Sequence, residues 1–142
     1  MGMSAYARGA GLGLALAVAG GAWAPAAAQQ GLAAYQGAWV EQSLSCDKMF
    51  VMGQKGASFR KPVNIFVSAF IVSGNSIRTA QANCRVSTVK PVGDRDLLKL
   101  TCSNSISTDA TSVLLARSPD GSLKRYFNEE DTIGTRYERC AP

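Results

Sequence analysis

Histidine is absent from this sequence of 142 residues. Because histidine is the commonest general base and a frequent metal ligand, its absence excludes Ser–His–Asp and Cys–His catalysis and argues against a metal site. The four cysteines also include no Cys-x-x-Cys pair, which is a usual spacing in zinc sites. We therefore expect a protein that is not an enzyme and that holds no cofactor and no metal.

Negative charge is missing from the first 40 positions, where Arg8 is the only charged residue. Residues 9–22 are all Gly, Ala, Leu or Val, and an Ala-Ala-Ala triplet ends at Ala28. One positive charge, a short apolar segment and an Ala-x-Ala site are typical of a secretory signal peptide. Residues 1–28 are therefore predicted to be a cleavable signal peptide, and the protein to be periplasmic or secreted.

Two alternatives to cleavage after Ala28 remain open. A second Ala-x-Ala site ends at Ala24, but cleavage there would place Pro25 next to the scissile bond, where its fixed φ fits a protease cleft badly. The segment is also close to the length of about 20 residues that an uncleaved membrane anchor needs. It is mostly Ala and Gly, however, and no basic cluster follows it. No transmembrane segment is expected after cleavage.

Cleavage after residue 28 of 142 leaves 114 residues, a length typical of one domain, over residues 29–142. The four cysteines of this domain are Cys46, Cys84, Cys102 and Cys140. An even number of cysteines in a small exported chain predicts disulfide bonds rather than free thiols or a metal site. Two disulfides are therefore expected, and four cysteines allow three pairings.

Hairpin geometry favours one of these pairings. Residues 84–90 and 97–103 are both predicted strands, joined by a turn. If the hairpin is symmetric about Gly93, Cys84 lies directly opposite Cys102, with Cβ atoms about 5 Å apart. That separation is close to the one that a disulfide spans.

The same register predicts an inward face on this hairpin and leaves one further disulfide. Two more pairs then lie opposite each other: Val86 with Leu100, and Thr88 with Leu98. Cys46 and Cys140 pair by default, which ties the first strand to the last. Closing so long a loop contributes on the order of 4 kcal/mol in the chain-entropy description of disulfides.

Short strands with little helical periodicity follow one another along the domain. The predicted strands cover residues 39–44, 48–52, 65–72, 76–80, 84–90, 97–103, 112–117, 123–127 and 135–140. The segment 65–72 is strongly apolar and is predicted to be a central, well-buried strand. About eight short strands indicate an all-β fold, either a small antiparallel barrel or a β-sandwich. We favour the barrel, because closure removes exposed edges.

The first predicted strand opens with Gly37-Ala38-Trp39. This Gly-x-Trp resembles the opening of lipocalin-type (calycin) barrels, and small periplasmic inhibitors of secreted metalloproteases also begin in this way. The resemblance implies that Trp39 packs across the closed barrel end. It also implies an arginine near the last strand that packs on this Trp, a role for Arg136 or Arg139. The longer central lipocalin motif is not evident here, and the inhibitors have a single disulfide.

Basic residues are concentrated in segment 53–62, which is predicted to be the longest loop. It carries Lys55, Phe59, Arg60 and Lys61, and the whole chain has a formal net charge of +5. A basic loop on a rigid scaffold predicts a site for an anionic envelope component or an acidic protein surface. An ordinary solvated loop is the alternative. Nucleic acid is not expected, because the charge is modest and the chain is exported.

Two functions therefore remain after the sequence analysis. The first is a non-enzymatic exported binding module, an inhibitor or envelope-associated accessory protein, whose loops contact an unknown protein or an anionic component. The alternative is a calycin-type carrier of a small apolar ligand, which requires a lined cavity of several hundred Å³. The bulky side chains of Phe66, Phe70 and Ile71 predict a filled interior instead. The acidic cluster at residues 129–131 is interpreted as a solvated turn.

Overall fold

The computed structural model of the chain describes residues 31–140. The signal peptide predicted at 1–28, with its cleavage site, therefore lies outside the described residues. Within 31–140, no helix is long and apolar enough to cross a membrane.

The described chain forms one short helix and ten strands after an initial 3-10 turn. The elements are a 3-10 turn (Ala33–Tyr35), β1 (Gly37–Glu41), α1 (Cys46–Met49), β2 (Phe50–Gly53), β3 (Gly56–Phe59), β4 (Ala69–Ser73), β5 (Ser76–Thr79), β6 (Asn83–Val92), β7 (Arg95–Ser103), β8 (Thr108–Arg117), β9 (Leu123–Tyr126) and β10 (Thr135–Cys140).

Eight of these strands form a closed antiparallel barrel in the order β1-β10-β9-β8-β7-β6-β5-β4. The barrel closes because β1 pairs with β10 on one side and with β4 on the other, where Trp39 faces Phe70. The prediction of a small barrel is confirmed, and the sandwich alternative is not what the chain adopts. Strands β1, β5, β7 and β9 begin at one end of the barrel, and the other four begin at the opposite end.

The interior follows the alternation of side chains along each strand. On β7, Leu98 and Leu100 are buried inside the barrel. Lys99 and Thr101, which alternate with them, are exposed. The interior cluster consists of Leu32, Tyr35, Trp39, Phe70, Val72, Ile77, Cys84, Val86, Leu98, Leu100, Leu115, Leu123 and Tyr137. Period-two patterning of this kind is what a strand with one face on the core requires.

A second apolar core lies outside the barrel wall. The chain leaves the barrel after β1, forms α1 and the β2–β3 hairpin, and covers the outer faces of β1, β4 and β10. This second core consists of Ala38, Val40, Phe50, Ala69, Ile71 and Cys140, with Leu44, Cys46, Met49, Ala57, Phe59 and Val67 packed against it. The predicted strand 48–52 is therefore wrong in its first half, which is helical, and the predicted loop 53–62 is mostly a hairpin.

Both predicted disulfides are present. Cys84 is bonded to Cys102 and lies opposite it on the β6–β7 hairpin, and Cys46 is bonded to Cys140. The predicted register holds as far as Val86 and then fails, because a β-bulge at Ser87 shifts the pairing by one residue. The turn is also tighter than predicted, since the strands continue to Val92 and Arg95.

The bulge changes which side chains enter the barrel. Thr88 lies opposite Lys99 rather than Leu98, and Val89 takes the position facing Leu98. The hydroxyl of Ser87 donates to the backbone oxygen of Lys99, at 3.2 Å. A bulge places an extra residue on one strand only, so the apolar Val89 moves to the inner face while Thr88 moves outward.

The predicted buried strand 65–72 is wrong over its first half. β4 begins at Ala69, and Ile65 and Phe66 are exposed, Phe66 to 88%. The reason lies in the neighbouring strand: β1 ends at Glu41, so the chain before Ser68 has no strand to pair with. The last backbone hydrogen bond between β1 and this segment runs from the Glu41 N–H to the Ser68 oxygen, at 2.9 Å.

Candidate functional site

The four residues predicted to bind an anionic partner lie on the β2–β3 hairpin and directly after it. Lys55 is exposed at the hairpin turn, whereas Arg60 and Lys61 follow β3 at the other end. Four to five residues of strand separate the two ends, or about 16 Å. The structure therefore does not bring Lys55 together with Arg60 and Lys61.

Two of these four residues have a structural role. The ring of Phe59 packs on Phe50 in the second core, with ring centroids 5.3 Å apart. The Nε of Arg60 donates to the backbone oxygen of Asp47 at 2.8 Å, which ties the hairpin to α1. Lys55 and Lys61 are exposed, and they remain available to a partner.

Trp39 closes one end of the barrel. Its side chain is only 2% exposed, and its indole Nε1 donates to the backbone oxygen of Tyr35 at 2.7 Å. The guanidinium of Arg139 lies over the indole, 5.1 Å from the ring centroid, and donates to the backbone oxygen of Gln36. Gly37, with φ +119°, passes directly beneath Arg139, where a Cβ would lie 3.4 Å from its Nε.

Of the two arginines considered for the contact with Trp39, Arg136 faces away from it. Its Nη2 donates to Asp120 and its Nε donates to Glu138, both at 2.8 Å. These two hydrogen bonds raise the pKa of Arg136, Glu138 contributing more than Asp120. On Asp120, hydrogen bonds from Ser122 and then from Arg136 lower the pKa. Arg136 therefore joins the 118–122 turn to β10 on the outer face.

The segment before β1 plugs the closed end, a role that its sequence pattern does not indicate. Leu32 and Tyr35 are almost fully buried in the interior core. The Tyr35 hydroxyl donates to Asp96 at 2.5 Å. Burial, followed by this hydrogen bond, raises the pKa of Tyr35 well above its usual value. A single apolar pair in a short segment of small residues carries too little periodicity to indicate burial.

The opposite end of the barrel is open and holds a cavity of about 410 Å³. Its walls are the inward side chains of Phe70, Ile77, Leu100, Leu115 and Tyr137. Hydroxyl groups of Thr79 and Thr111, the Cys84–Cys102 disulfide and the exposed Arg125 also line it. The expectation of a filled interior is therefore wrong at this end. Of the three bulky side chains on which it rested, only Phe70 enters the barrel, because Phe66 points to solvent and Ile71 points outward into the second core.

Apolar side chains are exposed on the connections at the open end. Ile65 and Phe66 precede β4, and Ile106 lies between β7 and β8 with 93% of its surface exposed. Ile65 also lines the cavity. Exposed apolar groups next to a cavity are typical of binding sites rather than of inert surface.

The acidic cluster belongs to the connection between β9 and β10. The carboxylate of Asp131 accepts the backbone N–H groups of Phe127, Ile133 and Gly134 at 2.9–3.0 Å. These bonds, that of Phe127 first, lower the pKa of Asp131. The guanidinium of Arg95 donates to three backbone oxygens of the same connection and stacks on Tyr126, 3.5 Å from its centroid.

This arrangement gives Asp131 a structural explanation. Both oxygens of its carboxylate accept hydrogen bonds from the backbone of its own connection, so its side chain organises that connection. Within residues 31–140, no three Cys, Asp or Glu side chains come together as metal ligands.

The contact between Arg139 and Trp39 is the one that the Gly-x-Trp resemblance implies for a lipocalin-type barrel. It concerns the closed end, whereas the cavity and its lining residues lie at the other end of the barrel. Compared with protein-family models, with curated proteins and with solved structures, the chain matches none of them.

Proposed function

We propose that this protein is an exported, non-enzymatic binding protein that holds a small, largely apolar ligand in the open end of its barrel. The observation that carries the proposal is the cavity of about 410 Å³. Ligand sites usually have volumes of about 300–1,000 Å³ and mostly apolar walls with a few polar groups. The mouth of a β-barrel is one of the places where such sites occur.

The lining favours a ligand with one anionic or polar end. Phe70, Ile77 and Leu115 provide apolar wall, whereas Arg125 and Thr111 provide polar groups. Among the described residues, Arg125 forms no ion pair with a carboxylate. An amphipathic molecule of a few hundred daltons would bury its apolar part against the wall and place an anionic group on Arg125.

Export is part of this proposal. The apolar N-terminal segment with its Ala-x-Ala site supports it. Two disulfides are consistent with an oxidising compartment, where such bonds form and persist.

A second candidate function is the binding of another protein through the rim of the open end. Ile65, Phe66 and Ile106 are exposed there, and large exposed apolar side chains occur at protein–protein interfaces. This function would make the protein an inhibitor or an accessory protein of the envelope, with the cavity receiving a side chain of the partner.

The first experiment is native mass spectrometry, without reductant, on protein recovered from the periplasm of a producing cell. A mass equal to residues 29–142 less four hydrogens, plus a bound mass of a few hundred daltons, is expected for a carrier. The same mass with nothing bound would favour the protein-binding candidate. A mass that retains residues 1–28 would contradict cleavage of the signal peptide.

Substitutions at the mouth test the cavity directly. Thr111 and Ala110 are neighbours on β8 and both are exposed, but Thr111 lines the cavity and Ala110 does not. With 8-anilinonaphthalene-1-sulfonate as a fluorescent probe, Thr111→Phe is expected to abolish binding, because the ring fills the mouth. Ala110→Phe is expected to leave binding unchanged. Equal binding to both variants would place the probe elsewhere and remove the cavity as the site.

A further inference from the structure

A second concave feature lies on the outside of the barrel, between the β2–β3 hairpin and the barrel wall. It is a groove of about 360 Å³. Its floor includes Ala38 and Ile71, whose side chains point outward from β1 and β4. The cavity of the open end lies on the other side of this wall and shares no lining residue with the groove.

Three cations from distant parts of the chain line this groove. Lys55 comes from the hairpin turn, Arg78 from β5 and Arg139 from β10. No aspartate or glutamate lines the groove. Within residues 31–140, none of the three cations forms an ion pair with a carboxylate. Cations gathered without a counter-charge raise the local potential and favour an anion.

The two guanidinium groups are held in place by the backbone. Arg78 donates one N–H to the Ala57 oxygen on the hairpin, at 3.3 Å. Arg139 donates one to the Gln36 oxygen and rests on the Trp39 ring. A guanidinium has five N–H donors, so each arginine keeps further donors for a ligand. Donors fixed before binding lose little entropy when the ligand arrives.

We propose that Lys55, Arg78 and Arg139 form a binding site for a phosphate monoester that carries an apolar group. A phosphate monoester has close to two negative charges at neutral pH, which suits three cations better than a single carboxylate does. Arginine pairs with phosphate through two parallel hydrogen bonds. Met52 lines the groove and is 39% exposed, so it supplies apolar surface beside the charged rim. The site goes beyond the proposed ligand cavity and does not depend on it.

Titration with octyl phosphate tests this site, with Trp39 fluorescence and calorimetry as readouts, because Arg139 lies on the Trp39 ring. Saturable binding is expected, and octyl sulfate, with one charge, is expected to bind more weakly. Lys55→Gln is expected to weaken octyl phosphate binding about fivefold, and Arg78→Gln about tenfold or more.

Lys61→Gln is the matched control, since Lys61 is an exposed lysine of the same segment that does not line the groove. It is expected to change the affinity by less than twofold. Equal losses in Lys55→Gln and Lys61→Gln would show that binding follows net charge and would overturn the site. Absence of saturable octyl phosphate binding would overturn it as well.

Two further probes distinguish the source of the phosphate. Vesicles of phosphatidylcholine with and without phosphatidic acid test a lipid headgroup, and inorganic phosphate tests the free anion as a competitor. Binding to phosphatidic acid vesicles that Lys55→Gln weakens assigns the site to a membrane lipid. Octyl phosphate binding without vesicle binding assigns it to a soluble phosphorylated molecule.

Discussion

Individual side chains organise the connections of this barrel through bonds to the backbone. Asp131 accepts three backbone N–H groups, Arg95 donates to three backbone oxygens of the same connection, and the Trp39 indole donates to the Tyr35 oxygen. Such groups satisfy backbone atoms that no strand pairs with. Asp131 of the acidic cluster and Arg136, one of the two arginines considered for the contact with Trp39, both have structural roles.

Asp131 is expected to make stability depend on pH. Its pKa is lowered in the folded protein, so its contribution is present above the unfolded pKa of about 3.9 and is lost as the pH falls through the lower folded value. Asp131→Asn should lower the melting temperature at pH 7, and the difference from the original protein should shrink below pH 4. Thermal unfolding followed by circular dichroism from pH 7 to pH 2 measures this.

Glu130 provides the control for Asp131. It is an exposed acidic neighbour whose carboxylate accepts none of the hydrogen bonds found in the described residues, and only its backbone N–H is bonded, to Asn128. Glu130→Gln removes the same charge and should leave the melting temperature at pH 7 nearly unchanged. An equal fall in melting temperature in the two variants would mean that the lost charge, and not the lost bonds to the backbone, lowers the stability.

At the scale of elements, the β2–β3 hairpin behaves as a cover for the barrel wall. Phe50 and Phe59 face the outer sides of β1 and β4, and Cys46 at the start of α1 is bonded to Cys140 on β10. A barrel strand normally exposes its outer face, but Val40 and Ile71 are almost fully buried here. The hairpin also positions Lys55 and the Ala57 oxygen at the basic groove.

Two neighbours on β2 test the hairpin as a packed element. Phe50 is 2% exposed and Val51 is 45% exposed on the other face. Phe50→Ala is expected to lower the free energy of unfolding by about 3–5 kcal/mol, because it leaves a cavity in the second core. Val51→Ala should change it by no more than about 0.5 kcal/mol. Urea unfolding measures both, and similar values would argue against a buried hairpin face.

The whole molecule has two cores that share one wall. Strands β10, β1 and β4 are covered on the inside by the barrel core and on the outside by the hairpin and α1. One barrel end is plugged by Leu32, Tyr35 and Trp39, so the cavity opens at the other end only within the described chain. The two disulfides act at this scale, since they connect segments 94 and 18 residues apart.

The two disulfides are expected to differ in their contribution to stability. Chain entropy assigns about 4–5 kcal/mol to the bond that closes the longer loop and about 3 kcal/mol to the other. The double variant Cys46→Ala, Cys140→Ala should therefore lose more than Cys84→Ala, Cys102→Ala in denaturant unfolding at pH 7. The reverse order would show that native contacts around Cys84 contribute more to the free energy of unfolding than the restricted entropy of the unfolded chain does.

Local pattern predicted the short strands and both disulfides, and the need to remove exposed edges favoured the barrel over the sandwich. Alternating apolar residues and turn signals indicate short strands, because the alternation of side chains on a strand is a local property. The Cys84–Cys102 pair followed from the register of one hairpin with a short turn. With that pair assigned, Cys46 and Cys140 had no other partner.

Tertiary contacts decided the rest. The bulge at Ser87, the exposure of Phe66 and the partial burial of Phe59 each depend on which strand or wall lies alongside, which no local pattern contains. The open cavity and the basic groove are also non-local, since Lys55, Arg78 and Arg139 are brought together by three separate elements. The sequence pattern by itself determined the strands and the cysteine pairs, because these depend on neighbouring residues and on one hairpin. Only the tertiary structure decided where the cavity and the groove lie, because their walls come from segments distant in the sequence.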